Sequence, residues 1–590
     1  MPHLIPVLLA SAVVCAAQEG TQVYMRHCQQ CHSPGAVAHA PSLEALKSMP
    51  WERIVKALET GAMKAQGAAL TAEERRAVAR YLGSAQPAPA PVMSGACTPG
   101  ARPTVTTSAW NGWGVDDRNS RFQPGAAAGM DASAVSGLRL KWAFGFPYGT
   151  TAFGQPTVVD GRLYTGSNAG IVYALDARTG CVYWAFEAKA VVRAAVLIGP
   201  GPRAYVGDLE SNFYALDAGT GQLIWQRKLD DQPFTRITGA AKLHGGRLYV
   251  PIASQEENAG ANPQYACCTF RGNLMALDAA TGRVIWKSYT TPEAQPTRVS
   301  KAGVQFYGPS GATTWSSPTI DPQRNLVYIT TGNGYSDPDV KTADALVAMD
   351  LDTGAIRWSQ QASRDMFNWD CGGRRGGGGN CPAQAGEDVD FGSSAILVDV
   401  DRGRQLLVAG QKSGMVHAFD PEQQGRIVWQ TRIGKGGKLG GVLWGMAAHD
   451  GVVYAALSDL DRNPAHGGGL FALDAATGKV LWSTPAPAPA CAGKPGCSAA
   501  QTAAVTAIPG IVFSGSMDGH LRAYETKAGT IVWDFDALRE FDTVNGVHAR
   551  GGSFSAGGAT VVDGMVYVNS GYTNAGGMGG NALLAFSVPR

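Results

Sequence analysis

From about residue 100 onward, short apolar runs alternate with turn residues, and the spacing within the runs is that of strands rather than helices. Runs such as Arg162-Leu-Tyr-Thr-Gly166 lead into one recurring phrase, Ala-x-Asp followed by a Thr-Gly turn and a tryptophan. The phrase carries Asp176 and Trp184, Asp217 and Trp225, Asp278 and Trp286, Asp350 and Trp358, and Asp474 and Trp482. Altered copies run from Asp420 to Trp429 and from Glu525 to Trp533. Each copy puts a tight turn between two apolar strands, which reads as one β-meander of a repeat protein. The tryptophan is assigned to packing between units, because a repeat buries its face only against its neighbours. Trp142 at the front, with Val566-Tyr-Val568 and Leu583-Leu-Ala-Phe586 at the back, supplies an eighth unit. Pairing the last strands with the first would close the ring and leave no exposed edge. The expected fold is an all-β eight-bladed propeller behind a small all-α domain.

That α domain lies before residue 85. Trp51 to Leu58 shows helical apolar spacing, and Thr71 with Glu74 forms a capping box at the start of a further helix. Gln86-Pro-Ala-Pro-Ala-Pro-Val92 is a semi-rigid linker by composition. Leu4 to Ala17 is an apolar run too short to span a bilayer, ending in Cys15-Ala16-Ala17 before Gln18, as an export signal does. The expected organisation is therefore a leader over 1–17, a helical domain over 18–84, a linker over 85–100 and the propeller over 101–590. No later run reads as a membrane span, so an exported, soluble protein is expected.

Composition narrows the partners. Lys and Arg total 49 against 47 Asp and Glu, a balance that offers no general nucleic-acid surface. Of eleven cysteines, ten remain beyond the leader, an even number that suits an oxidising compartment. Cys371 and Cys381 bracket a Gly-rich loop, Cys491 and Cys497 bracket another, and Cys97 and Cys181 remain as a long-range pair; spacing alone does not fix this connectivity. Cys267 and Cys268 are adjacent, the arrangement of a vicinal disulfide or of two thiols with separate partners. Cys28-x-x-Cys31-His32 is the attachment sequence of a c-type haem, with two thiols for the vinyl groups and His32 as an iron ligand. Met63 is the expected sixth ligand, with Met49 second and His39 a weaker third.

An eight-bladed propeller with these repeats and a cytochrome in front resembles the pyrroloquinoline quinone (PQQ) dehydrogenases of the quinohaemoprotein type. The resemblance implies PQQ, haem c and calcium as cofactors, a periplasmic location, and oxidation of secondary or polymeric alcohols to ketones. It also implies electron flow through the haem to an external acceptor such as a soluble cytochrome c. By the same resemblance Trp315 is the floor under the quinone, Thr238 binds a cofactor carboxylate, and Lys412 bonds the quinone oxygens. Glu256 and Asn333 are calcium ligands, and Asp370 is the catalytic base that also approaches the metal. Cys267 and Cys268 wall the quinone pocket, although the family's pair stands before the second blade, where this chain has Ala194-Ala-Val-Leu197. A competing alignment through Arg271-Gly272 puts Cys267 at the acid's position and leaves Glu256 outside. Two other readings stand beside this one: the same chemistry on small alcohols, and a non-catalytic propeller that binds protein partners. The second explains the blades but not Cys28, Cys31, His32 or the ordered acids.

Overall fold

A computed structural model describes residues 19–32, 43–47, 49–59, 61, 63–84, 91–104, 108–300, 303–371, 380–460 and 467–589. The leader, His39 and residues 85–90 of the linker lie outside these.

The N-terminal region is helical. A π-helical turn, Tyr24–Cys28, runs into Gln29–His32, and the longer helices are α1 (Trp51–Glu59) and α2 (Ala72–Leu82). The capping box is formed: Thr71 accepts the N–H of Glu74, whose carboxylate accepts the N–H of Thr71. Val23, Ile54, Leu58, Val78 and Leu82 close a small apolar core.

The eight blades follow as antiparallel meanders, seven of four strands and the third with a short fifth strand, Thr235–Arg236, added at Ala253 and Ser254. In blade 1 the strands are Thr157–Val159, Arg162–Gly166, Ile171–Asp176 and Val182–Glu187, from the axis outward. Blade 8 takes three strands from the C-terminus and its outer strand, Arg139–Gly145, from the front of the chain, pairing with Ala582–Ser587. The ring is thus closed with main-chain hydrogen bonds, as the terminal strands led one to expect.

The repeat phrase explains how blades adhere. Asp176 accepts the N–H groups of Arg178 and Thr179, making the turn, and the same bonds recur at Asp217 with Gly219 and Thr220. Six of the repeat tryptophans then donate their indole N–H to a carbonyl of the next blade, among them Trp184 to Ala218 at 3.0 Å, Trp429 to Ala475 at 3.0 Å and Trp482 to Thr526 at 2.8 Å. The ring seats on the turn glycine of that neighbour. At Gly478, with φ +72°, an added Cβ would stand 2.4 Å from Trp429. Four disulfides form, Cys97–Cys181, Cys267–Cys268, Cys371–Cys381 and Cys491–Cys497.

In a meander, the connections from one blade to the next share an end with the turns between second and third strands. Tyr148, Ala169 and Glu187 of blade 1 and its approach lie at that end, and α1 rests on them. Arg53 sits 4.2 Å over the Tyr148 ring and reaches the Ala169 carbonyl, while Lys56 pairs with Glu187 at 2.9 Å.

Candidate active site and haem segment

The same end of the ring carries all the propeller residues singled out in the sequence. Trp315 lies in the connection into blade 4, edge-on to Trp444 with centroids 4.9 Å apart, and Lys412 Nζ stands 5.5 Å from its ring centre. A narrow cavity opens here, walled by Trp315, Thr238, Trp444, Arg193 and Phe153. The Thr238 hydroxyl donates to the Trp315 carbonyl at 3.1 Å. Arg193 lies 4.2 Å over the Trp444 ring, and neither it nor Arg236 has an ion-pair partner among the described residues. Burial and the charge of Arg193 push the Arg236 guanidinium down to about 9, and its Nε is buried without a hydrogen bond. Two neighbouring cations beside an aromatic floor, short of carboxylates, fit a flat polyanion such as PQQ with its three carboxylates.

Across the cavity floor the charge reverses. Lys412 is buried between Asp388 at 2.9 Å and Asp390 at 2.7 Å. Burial opposes its charge, but the two carboxylates outweigh it and raise its pKa. Asp390 also accepts the backbone N–H of Asn333 at 2.7 Å, and the Asn333 amide nitrogen donates to the Phe367 carbonyl at 3.2 Å, which leaves Oδ1 as the atom to offer a cation. Behind Asn333, Asp344 is fully buried with no hydrogen bond on either carboxylate oxygen, and burial together with Asp365 holds its pKa well above the usual range.

Glu256 opens the short helix α3 (Glu256–Ala259). The Glu256 carboxylate is buried and accepts from the N–H groups of Thr269 and Phe270 and the hydroxyls of Thr269 and Tyr265, so its oxygens are occupied by protein donors. Its neighbour Glu257 turns toward the charged cluster. Burial, then the charge of Asp390, push the Glu257 carboxyl up to about 7, with Lys412, Arg236 and the Trp369 indole opposing. Glu256 is thus turned to Thr269, Phe270 and Tyr265, whereas Glu257 is the glutamate that feels Asp390, Lys412 and Arg236. An anionic oxygen at Glu257, an amide oxygen at Asn333 and crowded carboxylates suit a hard divalent cation. Among the described residues no three His, Cys, Asp or Glu side chains converge as a self-sufficient metal site, so such a cation would draw further donors from the cofactor or water.

Asp370 is drawn to the same region by its chain neighbour: the backbone N–H of Trp369 donates to the Glu257 carbonyl at 3.1 Å. Lys438 Nζ lies 4.5 Å over the Trp369 ring. Cys267 and Cys268 are buried with Phe270 and Tyr335 in the apolar cluster of blades 2 and 3, bonded through their backbones to Tyr307, and other residues wall the cavity at Trp315.

In the helical domain Cys28 and Cys31 are free thiols, whereas every other described cysteine is in a disulfide. Burial and the nearby Cys31 push the Cys28 thiol up. Two unpaired thiols beside the buried ring of His32 fit covalent haem attachment. Met63 and Met49 are both half-buried against the same apolar core as Cys28, so packing does not separate them.

Residues 110–374 match the glucose, ethanol and alcohol dehydrogenase β-propeller family, and residues 412–571 match that of the outer membrane protein assembly factor BamB. Residues 16–82 match subunit III of cbb3-type cytochrome c oxidase, a cytochrome c domain. A polyvinylalcohol dehydrogenase of Pseudomonas sp. is 40% identical, covering 98% of this chain and 95% of the relative. One of Sphingopyxis sp. (strain 113P3) is 39% identical over 97% and 93%. Among solved structures, the quinohemoprotein alcohol dehydrogenase ADHIIG of Pseudomonas putida HK5 shares the fold, with a TM-score of 0.62 at 22% identity over 82% of this chain and 80% of that one. Propeller, cavity and haem segment together define a PQQ-dependent alcohol dehydrogenase with a built-in cytochrome c domain, using PQQ and haem c. Within that class, the chain belongs to the polyvinylalcohol dehydrogenase family.

Proposed function

We propose that this is a periplasmic enzyme that oxidises secondary and polymeric alcohols of the polyvinyl alcohol kind to ketones, with calcium at the quinone. The observation that carries the reading is the reversal of charge across one cavity, with unpaired guanidiniums at one wall and crowded carboxylates at the other. Bound PQQ supplies a two-electron acceptor for hydride, calcium polarises it, and haem c carries single electrons. Trp315 offers the flat face for the cofactor, with Thr238, Arg193 and Arg236 toward its carboxylates and Lys412 toward its reactive edge. Glu257 and Asn333 hold the cation. Asp370 takes the hydroxyl proton of the alcohol, as a general base within hydrogen-bond reach does. The helical domain, bearing Cys28, Cys31, His32 and Met63, docks on the end where the site opens and hands electrons to a carrier such as a soluble cytochrome c. The domain limits at 18–84, 85–100 and 101–590 belong to this reading.

Purified protein loaded with PQQ and calcium should show haem reduction by polyvinyl alcohol and by small secondary alcohols. Reduction by small alcohols alone would assign the enzyme to them. Asp370→Asn should keep cofactor and haem and slow substrate-driven haem reduction by about 10² to 10⁴; turnover at the parent rate would move the base elsewhere.

A further inference from the structure

We propose that the Cys371–Cys381 disulfide is a positioning device for the carboxylate of Asp370, an inference that rests on Asp370 being the general base. Oδ2 of Asp370 accepts the backbone N–H of Asn380 at 2.8 Å and that of Cys381 at 3.2 Å. Both donors sit on the returning end of the loop that the disulfide closes, ten residues along, with Cα atoms 4.9 Å apart. Asp370 directly precedes Cys371, so the bond fastens the carboxylate and its own donors to each other.

The returning end is pinned from several sides. Asn380 Nδ2 donates to the carbonyls of Gly260 at 2.6 Å and Asn262 at 2.8 Å, just past α3. The Cys381 carbonyl accepts from Arg298 at 2.8 Å. Asn368 accepts the Asp370 N–H at 3.0 Å and donates to the Asn380 carbonyl at 2.8 Å. Asp370 is therefore braced at its backbone and at one carboxylate oxygen by one small network, and the disulfide is its covalent member. An aspartate without such braces would spread over staggered rotamers, and misplacing a catalytic group by 1 Å can cost about 10²-fold in rate. Cys491–Cys497 closes a shorter loop that makes no contact with Asp370 in the bonds described above.

A double-mutant cycle on the holoenzyme tests this, since residues acting as one unit give non-additive losses. Replacing both Cys371→Ser and Cys381→Ser should lower kcat about 10- to 100-fold, leaving KM, PQQ content and haem content within about twofold. Combined with Asp370→Asn, the pair should cost nothing further. Asn380→Ala keeps the disulfide but cuts the pins to Gly260 and Asn262, and should show a smaller kcat loss that is likewise absorbed by Asp370→Asn; it carries the test alone if the serine pair does not fold. Cys491→Ser with Cys497→Ser should keep the parent kcat. Losses that multiply with Asp370→Asn, or a serine pair at the parent kcat with full cofactor, would overturn the proposal. Should Asp370→Asn itself turn over at the parent rate, the assignment of the base fails, and that result is read independently of any cysteine.

Discussion

Glu256 and Glu257 are adjacent acids with opposite duties, and substitution should separate them. Glu256→Gln keeps the size but weakens charge-assisted bonds from Thr269, Phe270 and Tyr265, so it should cost roughly 2 to 3 kcal/mol in denaturant unfolding and leave the calcium requirement near the parent's. Glu257→Gln should do the reverse, raising the calcium concentration needed to restore activity to chelator-stripped enzyme while stability changes little. His417, buried between Gln411 and Gln430, offers a pH test: burial pushes its pKa down to about 4. A base whose folded pKa lies below the unfolded value of about 6.5 makes the unfolded state bind more protons between those values, so stability should fall as pH drops through that window. His417→Gln should flatten that slope in unfolding midpoints measured from pH 7 to 4. The resemblance to the quinone dehydrogenases put Trp315, Asn333, Lys412 and Thr238 in one region, because each stands in a phrase that matches the family's order and spacing. It could not choose between two consecutive glutamates, since that depends on the phase of a four-residue helix. Arg193, Arg236 and Trp444 gave no signal of their own, as an arginine without its acid is visible only once the neighbours are in place.

At the scale of the strand and turn, the tryptophan and the glycine of the next blade form one joint. Trp429→Phe retains most of the apolar contact and loses the bond to Ala475, so it should cost about 0.5 to 1.5 kcal/mol in urea unfolding. Gly478→Ala meets both a positive φ and the Trp429 ring 2.4 Å away, and should destabilise by more than that, without altering haem content. The blades were legible because one phrase had to solve the same packing problem repeatedly, and the terminal strands followed from the need to close the ring. The irregular connections were not legible. The segment from Gln255 to Phe270 departs from the repeat, and its path, with Glu256 sealed inside, is set by contacts to Tyr307 and Tyr335 that no local spacing announces.

At the scale of the molecule, a cytochrome domain rests on the site-bearing end of the propeller through Arg53 and Lys56. Acid-acetone treatment should leave the haem on the parent chain and release it from Cys28→Ala with Cys31→Ala, which reads covalent attachment directly. The Lys56–Glu187 pair is exposed on both sides, and such pairs contribute at most about 1 kcal/mol, so Lys56→Ala alone should not free the domain. What keeps it nearby is the linker itself, whose far end is fixed to blade 1, the blade that also carries Glu187, by the Cys97–Cys181 bond and by backbone bonds of Gly95 and Cys97 to Val182. From Ser84 to Cys97 the chain can reach no more than about 45 Å. A domain on so short a leash meets its dock at an effective concentration in the millimolar range, whatever the dilution of the protein. Internal haem reduction should therefore be first order and independent of enzyme concentration. Opening that disulfide would move the anchor on to Trp110, which pairs with Val158, and so lengthen the leash and dilute the dock without parting the two domains.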